Sequence, residues 1–214
     1  MTDPRLTEAL VKVETDLREL GIAWALIGGL AVSAWTEPRT TRDVDVAVAV
    51  EGDPEAEDLV REMTARGYEL LESLEHKDAN RLSTVRLNMT GRHEGVIADL
   101  LFASSGIERE LVDAAVPVEI LPGLTVPLAR IGHLLALKVL ALEGEIPLKR
   151  PQDFADIREL LEVADARELR RAQDALELIS RRGFNRGKDI QGEFEERLQR
   201  FRDSQARGTS GARP

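Results

Sequence analysis

Two aspartates, one residue apart, interrupt the most strand-like stretch of the sequence, "DVDVAVAV" at positions 43–50. Residues i and i+2 of a β-strand point to the same face, so Asp43 and Asp45 should project side by side. Two ionised carboxylates that close repel each other unless a cation lies between them. Oxygen ligands of this kind suit Mg²⁺ or Mn²⁺, which usually keep water and take further ligands from substrate phosphates. The pair therefore predicts a divalent metal site that works on a phosphorylated substrate.

A glycine pair in front of a short apolar helix is the second feature that could do chemistry. "AWALIG" is typical of a short strand, and "GLAVSAW" indicates a helix that opens directly from Gly28 and Gly29. Backbone N–H groups and the dipole at a helix N-terminus favour phosphate. Arg39 follows closely enough in the sequence to add a charged contact. We therefore expect these three residues to bind phosphate groups.

A third carboxylate, Asp99, lies alone in the apolar, strand-like stretch "VIADLLF". It would complete a site for two metal ions about 3.5–4 Å apart, which activate an attacking hydroxyl and stabilise a leaving pyrophosphate. Each feature alone has an ordinary explanation, because such aspartates are common at strand ends and glycine pairs are common in turns. Their combination in this order is much more specific than any one of them.

The elements around these residues change character along the chain. Leucine or valine recurs with a helical period between Pro4 and Leu20, and helices and strands then alternate up to about Thr125. After that point every periodic stretch is helical, and the C-terminal tail consists largely of small and polar residues with glycines among them. The sequence thus predicts an α/β domain at residues 1–125, a helical domain at 126–203 and a disordered tail at 204–214.

Composition excludes several classes of protein. The 214 residues include no cysteine, which excludes disulfides and cysteine-ligated zinc, and no apolar run approaches about 18 residues. Because a signal-peptide pattern is also absent, we expect a cytoplasmic protein without membrane contacts. Neither a P-loop motif nor the Gly-x-Ser-x-Gly motif of serine hydrolases is present, so these two chemistries have no support.

The charge is unevenly distributed. A formal net charge of −10 opposes general binding to nucleic acid, whose phosphates need a positive surface. The segment 167–188 nevertheless carries seven Arg or Lys residues and three Asp or Glu residues, a local balance of +4. This segment is either a basic face on an otherwise acidic protein or an ordinary solvated helix surface.

The stretch "GGLAVSAWTEPRTTRDVDVAV" resembles the signature of the nucleotidyltransferase (DNA polymerase β-like) superfamily. That signature is a hydrophobic residue, Gly-Gly or Gly-Ser, a spacer and then Asp-x-Asp or Asp-x-Glu. The closer form, Gly-Gly…Arg-x-Thr-x-Asp-x-Asp, resembles the AbiEii/AbiGii toxin-like branch, which includes the MenT-type toxins. The residues that match it position by position are Arg39, Thr41, Asp43 and Asp45.

This resemblance implies an α/β nucleotidyltransferase fold, with a small mixed sheet flanked by helices and an α-helical C-terminal half. It implies that Asp43, Asp45 and Asp99 hold two Mg²⁺ (or Mn²⁺) ions. The triphosphate of an NTP would be bound by Gly28, Gly29, Arg39 and Thr41. Many superfamily members have serine at the position of Gly29, so a hydroxyl contact to phosphate is missing here, although backbone contacts remain.

The activity that the resemblance implies is transfer of NMP from an NTP to an acceptor, with release of pyrophosphate. Acceptors in this branch include tRNA 3′ ends and proteins, and the enzymes often act as the toxin of a two-gene toxin–antitoxin pair. A cognate antitoxin protein is therefore an expected partner. The base preference and the acceptor stay open at this point.

The helical half adds three candidates. Lys138 lies on the same apolar helical stripe as Ile131, Leu135 and Leu142, so it must reach solvent or meet an anion. The branch has a similar lysine in a Leu-Leu-x-x-Lys helix, which implies a contact with the triphosphate. The acids three residues apart, at 153 and 156, share a helix face near an N-terminus, where the dipole alone would favour them. By resemblance one of Asp153 and Asp156 takes part in the activity, and which one stays open.

Two other functions remain possible from the sequence. One is a non-catalytic binding or regulatory module with the nucleotidyltransferase fold, which need not keep Asp43, Asp45, Asp99 and Lys138 together. The other is a Mg²⁺-dependent phosphohydrolase, which would share the carboxylates but would not need the glycine pair and Arg39 arranged for a triphosphate.

Overall fold

The computed structural model of the protein describes residues 4–76, 81–91, 94–142 and 150–210. The chain divides into two compact units, Met1–Arg130 and Ile131–Pro214. The first unit extends beyond residue 125, where the sequence predicted a boundary, because the last strand of its sheet runs to Leu128. Among the described residues, no helix is both long and apolar enough to cross a bilayer.

The first unit consists of a seven-stranded mixed sheet with helices packed on it. Its helices are α1 (Pro4–Glu19), α2 (Gly28–Trp35), α3 (Asp53–Ala65) and α4 (Glu108–Asp113). Its strands are β1 (Trp24–Leu26), β2 (Asp43–Val48), β3 (Tyr68–His76), β4 (Arg81–Met89), β5 (Ile97–Leu101), β6 (Val116–Leu121) and β7 (Leu124–Leu128). The spatial order of the strands is β3-β4-β5-β2-β1-β7-β6.

Alternation along β2 decides which side of the sheet is polar. Val44, Val46 and Val48 are fully buried, which fixes them on the core side of the strand. Since side chains alternate along a strand, Asp43 and Asp45 must project from the opposite face. We call that side of the sheet the acidic face.

Strand pairing at the centre of the sheet sets the neighbours of these aspartates. β2 pairs antiparallel with β1, which leads directly into the glycine pair of α2. β2 also pairs parallel with β5, and this register places Asp45 directly opposite Asp99. β4 pairs antiparallel with β5 and places Arg86 opposite Asp99 on its other side. The fold therefore collects residues from three strands on the acidic face.

The second unit is helical in its described part. Its helices are α5 (Ile131–Leu142), α6 (Arg150–Val163), α7 (Ala166–Arg181) and α8 (Ile190–Ser210). Gly132 lets α5 approach α7 closely, since a Cβ there would lie 2.4 Å from the backbone oxygen of Glu168. Asp165 caps α7 by accepting hydrogen bonds from two backbone N–H groups in its first turn.

Helix α8 continues to Ser210, through most of the segment for which the sequence predicted disorder. The Ser204 hydroxyl donates to the Phe201 carbonyl oxygen (2.7 Å), and Gln199 donates to the Asp203 carboxylate (2.8 Å). Local pairs of this kind support a helix whose residues are mostly exposed. The last part of the predicted tail, residues 211–214, lies outside the described residues.

Candidate functional site

The glycine pair at the start of α2 makes room for polar side chains. Gly28 has a φ of +63°, and a Cβ built on it would lie 2.0 Å from Oδ2 of Asp45. A Cβ on Gly29 would lie 2.8 Å from Oγ1 of Thr41 and 2.9 Å from Nη2 of Arg39. The two glycines therefore let a carboxylate, a hydroxyl and a guanidinium reach the first turn of α2.

The first turn of α2 also has the features of a phosphate site. Its N-cap residue is Ile27, whose side chain makes no capping hydrogen bond. The backbone N–H of Ile27 donates to the backbone oxygen of Asp45 (3.0 Å), and this bond holds Ile27 in place. The backbone N–H groups at such a helix start, with the helix dipole, favour an anion. The predicted phosphate ligands Gly28, Gly29, Arg39 and Thr41 thus lie together with Asp45.

Asp99 is held by Arg86, which is not among the site residues that the sequence predicts. Nε of Arg86 donates to Oδ1 of Asp99 (2.9 Å), and Nη2 donates to Oδ2 (2.8 Å). Asp99 is only 6% exposed. The hydrogen bond to Asp99 raises the pKa of Arg86; burial opposes the rise, and the charges of Asp99, Asp43 and Glu72 add to it. Arg86 is therefore a permanent cation on the acidic face.

The donor chemistry of the acidic face can be compared with the needs of a divalent ion. Asp43 and Asp45 offer carboxylate oxygens side by side, which suits Mg²⁺ or Mn²⁺. Both oxygens of Asp99 are bonded to Arg86. In the described part of the chain, no group of three or more acidic or histidine side chains is arranged to hold a metal. The chemistry of the aspartate pair suits a metal ion, and the ligand set of Asp43, Asp45 and Asp99 stays a prediction.

The three candidates of the second unit form a group of their own. Nζ of Lys138 donates to Oδ1 of Asp153 (2.8 Å) and lies 2.7 Å from Oδ2 of Asp156. Asp153 is 8% exposed and Asp156 is fully buried. Burial alone lowers the pKa of Lys138, but the charge of Asp156 and the bonds to both acids outweigh it and raise that pKa above its ordinary value. Gln152 also donates to Asp156 (2.9 Å).

Comparison with protein families identifies the chain. The model of the family described as "Nucleotidyl transferase AbiEii toxin, Type IV TA system" matches residues 13–210. The chain belongs to this family. The predicted AbiEii-like branch is therefore confirmed, and the family supports a toxin-like nucleotidyltransferase role. A search of curated proteins found no significant match.

Solved structures show the fold of this AbiEii-family chain. An antigenic nucleotidyltransferase-like protein from Paracoccidioides brasiliensis is similar over 93% of this chain and 94% of its own, with 18% identity and a TM-score of 0.56. ANT(2″)-Ia in complex with adenylyl-2″-tobramycin is similar over 82% of this chain and 97% of its own, with 12% identity and a TM-score of 0.54. These likenesses confirm the predicted nucleotidyltransferase fold.

Arg86 could have been found from the sequence of this AbiEii-family protein. "STVRLNM" places one charged residue among uncharged ones in a predicted strand, close in sequence to the strand that carries Asp99. Opposite charges on neighbouring strands commonly pair across the sheet. The register, which decides whether they meet, is not visible in the sequence.

Gly28→Ala tests whether Asp45 packs on the helix start. We expect this variant to be less stable than Gly21→Ala by about 1–3 kcal/mol, because the added methyl group overpacks the site. Rotation of the carboxylate cannot relieve the clash, since Cβ of Asp45 would lie 2.7 Å away. Gly21 is the matched control, because its φ is +68° and nothing lies within 4 Å of a Cβ there. Urea denaturation of both variants gives the comparison, and equal stabilities would contradict this packing.

Proposed function

We propose that this AbiEii-family protein is a metal-dependent nucleotidyltransferase that transfers NMP from an NTP to an acceptor hydroxyl. The observation that carries the proposal is the packing of Asp45 against Gly28, at the first turn of α2. A phosphate bound at this turn would lie directly beside the carboxylates of Asp43 and Asp45. Such a phosphate and two carboxylates repel each other unless a divalent cation joins them, and this is the arrangement that nucleotide transfer needs.

Each residue of the site has a role in the proposal. Asp43 and Asp45 would hold Mg²⁺ or Mn²⁺, whose chemistry, when bound, is to polarise phosphate oxygens and stabilise developing negative charge. The N–H groups of Gly28 and Gly29 would bind the triphosphate and orient it. Arg39 and Thr41, which lie against Gly29, would donate to the same phosphates. The acidic face thus positions the nucleotide and leaves its α-phosphate open to attack.

The reaction exchanges one phosphorus–oxygen bond for another. The acceptor hydroxyl oxygen forms a bond to the α-phosphorus, while the bond from this phosphorus to the β-bridging oxygen breaks. Pyrophosphate leaves with the electron pair of that bond, and the hydroxyl proton is released to solvent. The chain's contribution is to hold the phosphates in line with the acceptor and to balance their charge.

Lys138 is proposed as a further contact to the triphosphate. Its ammonium is held between Asp153 and Asp156, so these two acids act as positioning residues for it. The raised pKa of Lys138 keeps the group charged at neutral pH, as a phosphate contact requires. On this proposal both acids matter, because each bonds the same nitrogen.

The biological setting follows from the family name. The Type IV toxin–antitoxin description supports a role as the toxin component, with a cognate antitoxin protein as partner. The proposed acceptor is an RNA, such as a tRNA 3′ end, or a protein, and the proposed compartment is the cytoplasm. The segment 167–188, with its local charge of +4, is the region of the sequence best suited to an RNA acceptor.

A labelling experiment tests the proposal. The purified chain is incubated with Mg²⁺ and each α-³²P NTP in turn, with and without total tRNA, beside an Asp43→Asn/Asp45→Asn variant. We expect label on tRNA or protein that disappears in the variant, which names the nucleotide and the acceptor class together. NTP binding without any label would favour the non-catalytic module instead.

A further inference from the structure

The connection between α7 and α8 concentrates positive charge in an acidic protein. The segment 181–188, "RRGFNRGK", contains four Arg or Lys residues and no acid, a local charge of +4. We call this segment the basic loop. The whole chain has a formal net charge of −10, so the rest of it carries −14, which is −10 less the +4 of the loop. All four cations of the loop are exposed: Arg181, Arg182, Arg186 and Lys188.

Hydrogen bonds fix the backbone of the basic loop. The Phe184 N–H donates to the Ile179 carbonyl oxygen (3.0 Å), and Gly183, with a φ of +81°, closes the end of α7. Further along, the Lys188 N–H donates to the Asn185 carbonyl oxygen (3.0 Å). The Asn185 side chain donates in return to the Lys188 carbonyl oxygen (2.7 Å). The loop therefore presents its side chains from a defined backbone.

Arg186 occupies a backbone conformation that arginine adopts only at a cost. Its φ is +57° and that of Gly187 is +69°, so both central residues of the turn 185–188 are left-handed. Turns of this kind are normally built from Gly, Asn or Asp. Among the residues that the structure describes, Arg186 is the only one other than glycine with a positive φ. A strained residue at an exposed turn points to a function of its side chain.

The helix dipoles account for only part of the basic loop. Arg181 lies in the last turn of α7, where the negative end of the dipole favours a cation. Arg186 lies beyond that helix and ahead of α8, whose positive end favours acids instead. Arg182 and Lys188 interact with other groups of the protein. In the part of the chain that the structure describes, Arg181 and Arg186 form no ion pair, so these two arginines are open to an external anion.

We propose that the basic loop binds the phosphate backbone of a single-stranded segment of RNA, with Arg181 and Arg186 as the phosphate contacts. The choice of RNA rests on the proposed function, in which RNA is one of the two acceptor classes. Contacts to phosphates carry no sequence information, so the loop should not distinguish between RNA sequences.

Duplex DNA fits the charge distribution less well than a single strand does. A duplex is stiff over about 150 base pairs, so one held at the loop would run on past the acidic remainder of the protein, with its charge of −14. A flexible single strand can bend away from that charge. We therefore expect RNA to bind at the loop more tightly than duplex DNA.

Binding of a labelled oligouridine of about 20 nucleotides, measured over a range of salt concentrations, tests the inference. The decisive variant is Arg181→Gln/Arg186→Gly, because glutamine suits a helix end and glycine suits the left-handed turn. The control is Arg158→Gln/Arg200→Gln, which makes the same change in net charge. The side chains of these two control arginines are 76% and 65% exposed, on other helices of the same unit.

Wild type and control should bind the oligouridine alike, and the decisive variant should bind it about tenfold less tightly or worse at low salt. The dependence of the logarithm of the binding constant on the logarithm of salt concentration should also become flatter, by about 0.7 for each lost phosphate contact. If the decisive variant does not fold, as judged by circular dichroism, Arg186→Asn replaces it with half the change in slope, since asparagine tolerates the left-handed conformation.

Three results would overturn the inference. They are no binding of the oligouridine by the wild type, an unchanged affinity and slope in the decisive variant, and duplex DNA of the same length that binds as tightly as the RNA. Label on a protein acceptor that falls in the decisive variant, with RNA binding unchanged, would assign the loop to a protein instead.

The proposed function can fail without the basic loop. Asp43→Asn/Asp45→Asn should bind the oligouridine at least as tightly as the wild type, because it removes negative charge outside the loop. Absence of label transfer by the wild type would therefore refute the proposed function, whereas RNA binding by the two proteins would still support the basic loop.

Discussion

Asp45→Asn is expected to lower nucleotide transfer by about a thousandfold or more and to leave the fold intact. Asparagine keeps the shape of the side chain beside Gly28 but removes the charge that would hold the metal. A bound metal contributes several kcal/mol of charge stabilisation, and each step of about 1.36 kcal/mol is a factor of ten in rate. The measurement is the single-turnover rate of label transfer, with thermal unfolding measured on the same sample.

The control for this variant is Asp58→Asn, which makes the same change in net charge on the exposed surface of α3. Asp58 is 64% exposed and pairs with Arg61 on the same helix, so neither rate nor stability should change. In cells, expression of the wild type should slow growth and expression of Asp45→Asn should not. Undiminished toxicity of Asp45→Asn would remove the metal mechanism.

The sequence predicts the elements that carry the aspartates and glycines because all the signals are local. Strand β1, helix α2 and strand β2 lie within a span of 25 residues, from Trp24 to Val48, and each has its own periodic pattern. The glycine pair and the aspartates are separated by a single helix and a short loop. A motif this compact needs no long-range register, so its approximate geometry follows from strand alternation and from where the helix begins.

Strand β3 was not predicted, and its burial explains why. Only Tyr68 of its nine residues is buried, so the strand shows no alternation of apolar and polar residues. It forms because the edge of β4 provides hydrogen-bonding partners for it, and this contact between strands cannot be read from the local sequence. The pairing of Arg86 with Asp99 depends on the same kind of information, since a shift of register by one residue would place the two side chains on opposite faces.

The sequence could not predict the contacts of Lys138 either. The apolar stripe of α5 predicts that Lys138 needs an anion or solvent, but it does not say which anion. Asp153 and Asp156 follow on the next helix, and their own spacing has a sufficient explanation in the helix dipole. The structure shows that a partly buried lysine and two buried acids satisfy each other, and such acids are rarely buried without a partner.

Lys138→Met is expected to destabilise the helical unit by about 3–5 kcal/mol, because it leaves two buried carboxylates without their cation. The triple variant Lys138→Met/Asp153→Asn/Asp156→Asn should recover most of this loss, since it removes the whole charged group. Urea denaturation followed by circular dichroism measures both. The surface control is Arg158→Met. The Arg158 side chain is 76% exposed and pairs with Glu162, so its removal should lower the free energy of unfolding by less than about 1 kcal/mol.

The pH dependence separates this structural role of Lys138 from a role in binding phosphate. The folded state raises the pKa of Lys138 above its ordinary value of 10.5, so the stability that it contributes is fully present below pH 10.5. That stability is lost only as the pH rises through the folded-state pKa. The difference between wild type and Lys138→Met should therefore be the same at pH 7 and pH 9. If Lys138→Met is as stable as the wild type at both values, the two acids do not depend on Lys138, and its charge must be explained by the nucleotide alone.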